Sequence, residues 1–478
     1  MITITRTSGI CIPRTYESHE FYSNIKYHLT RHSREYQTSV FVTNHYYLEG
    51  SNVLKIPRYF PVQDYIRDDV EIIDKTLQSQ IIQLNHNITL RDEAQKEIVR
   101  YMLSHNNGII QANAGSGKTV VSIYSVSELK KKTFILCHRD SLVNQWIGPG
   151  TSEKPQGFLA FTDISKDQID RLTSHNFKEC LQKSIIVCTD QLFISLLKRY
   201  REEFLVELNK ANIGILLGDE VHTAVGAPTY SQCSLHIPCE IAFGLSATPK
   251  RWDGNLDIME YHLGKIYVPE GKSSEMDASI TVVLFNSGLI PKSYKYIFWG
   301  GFFQKSRYLT ILKNSKTFIA ICSGLISKFC NEGRQIVFVG ERIKLLELLF
   351  KQCNTCSDKS IFMAGSNLTD IEKQLTYTTP HKSRDGIDYV SKDCLIMSSP
   401  IGNVNQMVGR TLRPKPGKLQ PIVIDMVDIG IKDVRETFFS RVDYYKLKNW
   451  DIKYLFVGSN GNKRILTEEE SMKIIKGE

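Results

Sequence analysis

The stretch Ala112-Asn-Ala-Gly-Ser-Gly-Lys118-Thr119 constrains the fold of this chain more than any other. It follows the run Gly-Ile-Ile-Gln and precedes a helix-compatible stretch, the setting of a loop between a parallel strand and a helix. Glycines there let backbone N–H groups wrap phosphate oxygens at a helix N-terminus, where the helix dipole favours negative charge. Lys118 adds a point charge for the β- and γ-phosphates of a nucleotide, and Thr119 brings a hydroxyl able to ligate Mg²⁺. Gly115, Ser116, Gly117, Lys118 and Thr119 are therefore the expected nucleotide-binding residues, with Ala112 standing where the generic pattern has a glycine. A Gly-rich turn carrying a solvated lysine is the plainer reading, but it leaves the flanking strand and helix without a reason.

About a hundred residues later comes Ile213-Gly-Ile-Leu-Leu-Gly-Asp219-Glu220-Val-His222, an apolar run that ends on two carboxylates. The C-terminal end of a parallel strand is where sheet ligands bind. Asp219 is the expected Mg²⁺ holder, and Glu220 the expected base for water attacking the γ-phosphate. Alone such a pair is common; the phosphate loop ahead of it gives it a task.

Short apolar runs at 108–111, 134–137, 185–188, 213–217 and 241–245 alternate with longer helical or polar stretches. Such alternation predicts a parallel sheet. A second series at 335–339, 360–363, 394–397 and 421–425 follows a less regular region near 270–295 and predicts a second sheet. The expected class is α/β: two tandem sheet domains at 89–275 and 276–455, a small accessory domain at 1–88, and a C-terminal tail at 456–478 read as a loop leading into a short exposed helix. Residues 1–88 are rich in aromatics that should pack, among them Tyr16, Phe21, Tyr22 and Phe60.

The net charge is +9, yet residues 1–90 hold nine Lys/Arg and nine Asp/Glu, so the whole excess lies in 91–478. A polyanionic partner is therefore expected there. Eleven scattered cysteines and a start without a signal-type apolar segment predict a reducing, intracellular setting. No apolar run approaches the ~18–20 residues of a membrane span, so a soluble protein with no membrane partner is expected. Cys353 and Cys356 lack the second pair a zinc site requires and read as ordinary thiols.

Four segments in order resemble motifs I, II, III and VI of superfamily 2 helicases: 112–119; the DEVH box Asp219-Glu-Val-His222; Gly244-Leu-Ser246-Ala-Thr248-Pro-Lys-Arg251-Trp-Asp253; and Gln406-x-x-Gly409-Arg410-x-Leu-Arg413. The resemblance implies two RecA-like domains, ATP with Mg²⁺ as cofactor, and nucleic acid as partner. Cys137-His-Arg139 through Gln145-Trp146, and Thr189-Asp-Gln191, are similar to the strand-contacting motifs Ia and Ib, and 337–342 to motif IV. Gln95 resembles the adenine-reading glutamine, one position late. Asp385-Gly386-Ile387-Asp388 is similar to motif V, which implies roles for Gly386 in coupling and Asp388 at the nucleotide.

The run from Ser246 to Asp253, with motif VI, is similar to duplex translocases of the XPB and phage UvsW types and to the type III restriction motor. Leu54-Lys-Ile-Pro57-Arg58-Tyr-Phe60 resembles an N-terminal element of the poxvirus transcript-release DNA helicase and of related helicases of large DNA viruses. What this implies is a monomeric motor on duplex DNA, engaged with transcription or replication machinery. It would work in a viral replication compartment or virion if the chain is viral, and otherwise in the nucleus or cytoplasm. An RNA helicase, a nuclease-coupled motor and an ATP-gated scaffold are the other readings.

His222 is expected either to hydrogen-bond to Gln406 or to Ser246/Thr248 when the cleft closes or to pack locally, and Ser246, Thr248, Arg251 and Asp253 are expected nucleic-acid or coupling residues, Arg251 linking hydrolysis to strand displacement. Trp146 and Trp252 either stack on bases or pack in a core. Arg410 and Arg413 would reach the γ-phosphate and stabilise the transition state, and Gln406 is a further expected catalytic residue. Arg413→Ala should then leave ATP affinity nearly unchanged and cut kcat by ~10³ or more, as removal of an arginine finger does. Steady-state ATPase beside equilibrium nucleotide binding measures both, and lost affinity with retained kcat would move Arg413 to ground-state binding.

Overall fold

The structure is a computed structural model of the 478-residue chain. It describes all residues except 1, 36–38, 50–51, 67–69, 77, 114, 151–154, 222–227, 248–255, 272–275, 290, 364–365, 367, 381–388, 403, 459 and 478, and only the backbone of 32–35, 39–43, 49, 228–229, 291, 368 and 406. His222, Thr248, Arg251, Trp252, Asp253, Gly386, Asp388 and the Gln406 side chain thus lie outside the described residues. The chain divides into two compact units, Met1–Ser273 and Ser274–Glu478.

The first unit opens with β1 (Ile2–Arg6), β2 (Ile10–Pro13), the hairpin β3 (Thr30–Glu35) and β4 (Ser39–Asn44), β5 (Tyr47–Glu49), β6 (Val53–Ile56) and β7 (Val70–Asp74). Five of these form a sheet in the order β5-β6-β2-β1-β7, antiparallel except for the β1–β7 pair. Its core joins Ile4, Ile12, Tyr22, Ile25, Leu54 and Ile56, and Ile258 from the later chain completes it. Hydrogen bonds tie this sheet to the rest of the unit. Arg58, 5% exposed, donates to the carbonyls of Thr7 (3.2 Å), Ile237 (3.5 Å) and Cys239, and Ser8 Oγ donates to Leu235 O (2.6 Å). One planar guanidinium satisfies carbonyls from two parts of the chain, which a lysine ammonium would match poorly.

Next come β8 (Asn107–Gln111), β9 (Thr133–Cys137), β10 (Ile169–Arg171), β11 (Ile185–Thr189), β12 (Ile215–Asp219), β13 (Ile241–Ser246) and β14 (Ile266–Tyr267), a parallel sheet in the order β10-β11-β9-β12-β13-β8-β14. Its central strands are apolar throughout because helices cover both faces, which gives one core on each side.

The second unit repeats the plan. It contains β15 (Ser279–Phe285), the short hairpin β16 (Phe298–Trp299) and β17 (Phe302–Phe303), β18 (Ile336–Val339), β19 (Lys359–Phe362), β20 (Leu375–Thr378), β21 (Cys394–Met397), β22 (Ile422–Asp428), β23 (Asp451–Val457) and β24 (Lys463–Leu466). The main sheet runs β19-β20-β18-β21-β22-β15-β23-β24, parallel except for the last pair. Both units are thus parallel sheets flanked by helices, the RecA-like α/β architecture. All eleven cysteines are buried free thiols, Cys353 and Cys356 among them.

The end of the chain corrects the sequence reading. The Gly/Asn-rich stretch is the turn between β23 and β24, and the helix Glu468–Lys476 is docked, with Ser471 and Ile475 buried in the unit's core. A capping box at Thr467 and Glu470 starts that helix. Its many charges occupy the outer face and mask a short inward stripe.

A buried ion pair ties β22 to the helix Lys432–Leu447: Arg441 Nε donates to Asp425 Oδ2 at 2.8 Å, with both side chains almost fully buried. Tyr445 Oη donates to the same oxygen at 3.0 Å, and Arg441 Nη1 to Ile401 O at 2.8 Å. Arg441→Ala should lower stability by about 3–5 kcal/mol, because it strands a buried carboxylate. Combining it with Asp425→Asn should recover part of the loss. Urea unfolding of the single and double variants checks this.

Candidate nucleotide site and the strand ends around it

The phosphate loop lies between β8 and the helix Lys118–Leu129. Its first amide, Ala112 N, donates to Ser246 O at 3.1 Å, tying the loop to the end of β13. Gly115 and Gly117 have φ of 91° and 88°, in the left-handed region that favours glycine. At Gly117 a side chain has no room either, since a Cβ would sit 2.5 Å from Gln95 Nε2. Lys118 is 8% exposed and donates to the carbonyls of Ala112 (2.9 Å) and Asn113 (3.1 Å). Ser116 Oγ is buried and meets no hydrogen-bond partner among the described residues. A buried ammonium, an unsatisfied hydroxyl and backbone that must be glycine fit a group rich in acceptor oxygens.

Gln95 holds the loop from behind. Its Oε1 accepts from Arg91 N at 2.7 Å and its Nε2 donates to Ser116 O at 2.8 Å, while Asp92 caps the helix Glu93–Ser104 by accepting from Gln95 N at 3.0 Å. Whatever else Gln95 reads, it fixes the position of the loop.

β12 delivers Asp219 to the same end of the sheet, 7% exposed. Burial raises its carboxyl pKa above the ordinary carboxylate range, and the neighbouring Glu220 charge raises it further; the Trp146 hydrogen bond and the Lys118 charge act against that rise. Glu220 follows with φ of 50°, a left-handed conformation costly for a residue with a Cβ. The chain turns sharply there, so consecutive carboxylates leave the strand in different directions.

Trp146, on the helix Asp140–Ile147, is fully buried and donates Nε1–H to Asp219 Oδ2 at 2.8 Å, with its ring 6.3 Å from Phe158. This settles the open choice between base stacking and core packing in favour of the core. It also reveals a role that sequence reasoning missed, because nothing in the spacing of residues 146 and 219 signals their contact. Trp146 orients the carboxylate while leaving its other oxygen for a ligand.

Thr189 ends β11 opposite Cys137, the last residue of β9, and Arg139 follows two residues beyond Cys137 at the start of the next helix. Thr189 Oγ1 also caps the next helix, accepting from Leu192 N at 3.3 Å. Gln145 is partly exposed on the Trp146 helix, and Ser246 is fully buried at the end of β13. In the second unit Arg410 lies on the helix Asn405–Thr411 and is 8% exposed; Arg413 follows that helix, its carbonyl accepting from Lys418 Nζ at 2.9 Å.

Among the described residues no cluster of three or more His, Cys, Asp or Glu could hold a metal ion alone. Mg²⁺ asks for less, since one or two protein oxygens and the phosphates of a nucleotide complete its shell. Asp219 and Thr119 fit that requirement. Trp146→Phe keeps the buried ring and removes only the donor, so Mg²⁺ activation of ATP hydrolysis should weaken about 10–100-fold, as loss of an outer-shell partner does. A Mg²⁺ titration of ATPase activity measures it, and an unchanged curve would remove the orienting role.

Residues 76–251 match the family described as "Type III restriction enzyme, res subunit" (ResIII). The chain is 24% identical over 429 residues to "Putative ATP-dependent RNA helicase L396" of Acanthamoeba polyphaga mimivirus, covering 87% of this chain and 78% of that one. It is 26% identical over 371 residues to the "General transcription and DNA repair factor IIH helicase/translocase subunit XPB" of Enterocytozoon bieneusi, covering 70% of this chain and 57% of the relative, little more than half its length. In fold it is like the solved structure of the DUF1998 helicase MrfA bound to DNA, with a TM-score of 0.51 and 11% identity over 79% of this chain and 54% of that one. With a glycine-rich loop and a carboxylate pair at the same end of one sheet, and relatives named as helicases, the chain has the make-up of an ATP-dependent helicase of superfamily 2 and is similar to the XPB helicases.

Proposed function

We propose that the helicase acts on double-stranded DNA. The observation that carries this is the match to XPB, a protein named for transcription and DNA repair, over 70% of the chain. The charge supports it: the first 90 residues are neutral and all of the +9 lies in the motor, as suits a machine that grips phosphates with the motor itself. In this reading Lys118 and the loop amides hold the phosphates of ATP, and Thr119 and Asp219 hold Mg²⁺, which would neutralise phosphate oxygens. Glu220 takes the proton of the attacking water, and Arg410 and Arg413 supply transition-state charge. Arg139, just past the end of β9, and Thr189, at the end of β11, contact the nucleic-acid backbone.

The mimivirus relative favours a second reading, an RNA track, because its name carries RNA and it covers more of the chain. ATPase measured side by side with single-stranded DNA, duplex DNA and RNA separates the two. Duplex DNA should stimulate most, the stimulation should fall as salt rises, and base sequence should matter little. Glu220→Gln, the control, should bind nucleotide and lose turnover by ~10²–10⁴ on every track, as loss of a general base does. Stimulation by single-stranded RNA and none by duplex DNA would establish the RNA reading.

A further inference from the structure

Between β15 and the helix Lys305–Leu312 the chain leaves the second sheet and builds a small projection, the helix Pro291–Tyr296 followed by the β16–β17 hairpin. Register pairs Phe298 with Phe303 and Trp299 with Phe302 across the hairpin. Neighbouring residues on a strand point to opposite faces, so the two pairs lie on different sides. Phe298 and Phe303 pack against the core of the unit. Trp299 and Phe302 point away from it, 67% and 57% exposed. Gly300 and Gly301 join them with φ of 57° and 84°, the two positive values of a tight hairpin turn, so the outward pair is held on a defined scaffold.

The outward rings have a cationic backing. The Arg307 guanidinium lies 4.9 Å from the Trp299 ring centroid and 5.0 Å from that of Tyr296, itself 51% exposed, and it donates to Tyr296 O at 3.2 Å. One face of the indole is thus covered by a cation and the side away from it is left to solvent. From residue 291 to 307 the chain carries four Lys/Arg and no Asp/Glu. Lys305 is held by Glu341 at 2.5 Å, while Lys292 and Lys295 stand on the helix that leads into the hairpin.

We propose that this hairpin is a stacking platform for unpaired bases of the nucleic-acid strand, with bases on Trp299 and Phe302 and phosphates near Lys292 and Lys295. Every base offers a flat π-face, so exposed aromatics in basic surroundings bind single strands without reading their sequence. Arg307 stiffens the indole through its covered face. A protein partner or a lipid surface would also take exposed aromatics, but a segment of four cations and no acid complements a polyanion that presents both phosphates and flat rings. The inference rests on the helicase reading and is indifferent to DNA or RNA.

The test uses the full chain, a fluorescent oligothymidine, and an abasic oligonucleotide of equal length that carries the same phosphates. The wild-type protein should bind oligothymidine about tenfold more tightly than the abasic strand, the scale of stacking one base. Trp299→Ala/Phe302→Ala, which leaves the Phe298–Phe303 anchor and the glycine turn in place, should bind the two strands alike. Base-dependent quenching of tryptophan fluorescence should be present in the wild type and lost in Trp299→Phe, a variant that keeps a ring and so the fold. A double variant that retains the base preference, or a wild type with none, overturns the platform; if abasic strands still bind, the helicase reading stands. If the wild type binds neither single strand, the platform falls, and the helicase reading falls with it only if duplex DNA and RNA also fail to stimulate the ATPase. Binding to phosphatidylserine vesicles that disappears in the double variant while base preference persists would assign the hairpin to membranes instead.

Discussion

A carboxylate at the end of a buried strand must find a donor or lose its charge, and much of the first unit is arranged around that demand at Asp219. Burial raises the free energy of the ionised form. The indole N–H of Trp146 meets one oxygen, the Lys118 charge favours ionisation from the phosphate loop, and the sharp turn at Glu220 takes the second carboxylate off the strand line. The loop is constrained in its turn by Gln95 from one side and by Ser246 O from the other. Strand, loop and helix thus share a few polar contacts in an otherwise apolar interior. A shift in any one is transmitted, because interiors packed at this density do not deform smoothly.

That economy explains what could be read from the sequence. The strands β9, β11, β12 and β13, and the middle of β8, were legible because helices cover both faces of the sheet and leave apolar runs; β18, β21 and β22 were legible for the same reason, whereas the edge strand β19 showed only through Ile361 and Phe362. The loop at 112–119 and the carboxylates Asp219 and Glu220 stood out because few residue types suit the chemistry expected of them. By contrast β15, which pairs between β22 and β23, sat in a stretch that looked irregular beside its neighbours, and β20 is four residues long with two threonines. The terminal helix looked exposed because its first turn is Glu-Glu-Glu, although Ile475 reaches the core.

Contacts between distant residues were the part the sequence withheld. Trp146 and Asp219 are 73 positions apart, and Gln95 and Ser116 are 21 apart. Nothing in either segment alone specifies the partner. The N-terminal sheet shows the same limit: its aromatic content foretold packing, but not that Ile258 would close its core or that Arg58 would bond carbonyls some 180 residues away. The exposed hairpin at 298–303 was hidden for another reason. Four aromatics around two glycines do not tell which two face out; the register does.

Arg58 also has a consequence for the order in which the molecule is made. While the ribosome has delivered only the first hundred residues, the five N-terminal strands are present, but the carbonyls of Ile237 and Cys239 and the side chain of Ile258 do not yet exist. Until then the guanidinium stays hydrated and the small sheet keeps an open apolar flank. Contacts of such long sequence separation form late, because the loop between them must first be closed. The amino-terminal sheet, first to be synthesised, is therefore among the last parts of its unit to become complete. During that interval its uncovered side is the surface that a nascent-chain chaperone would meet.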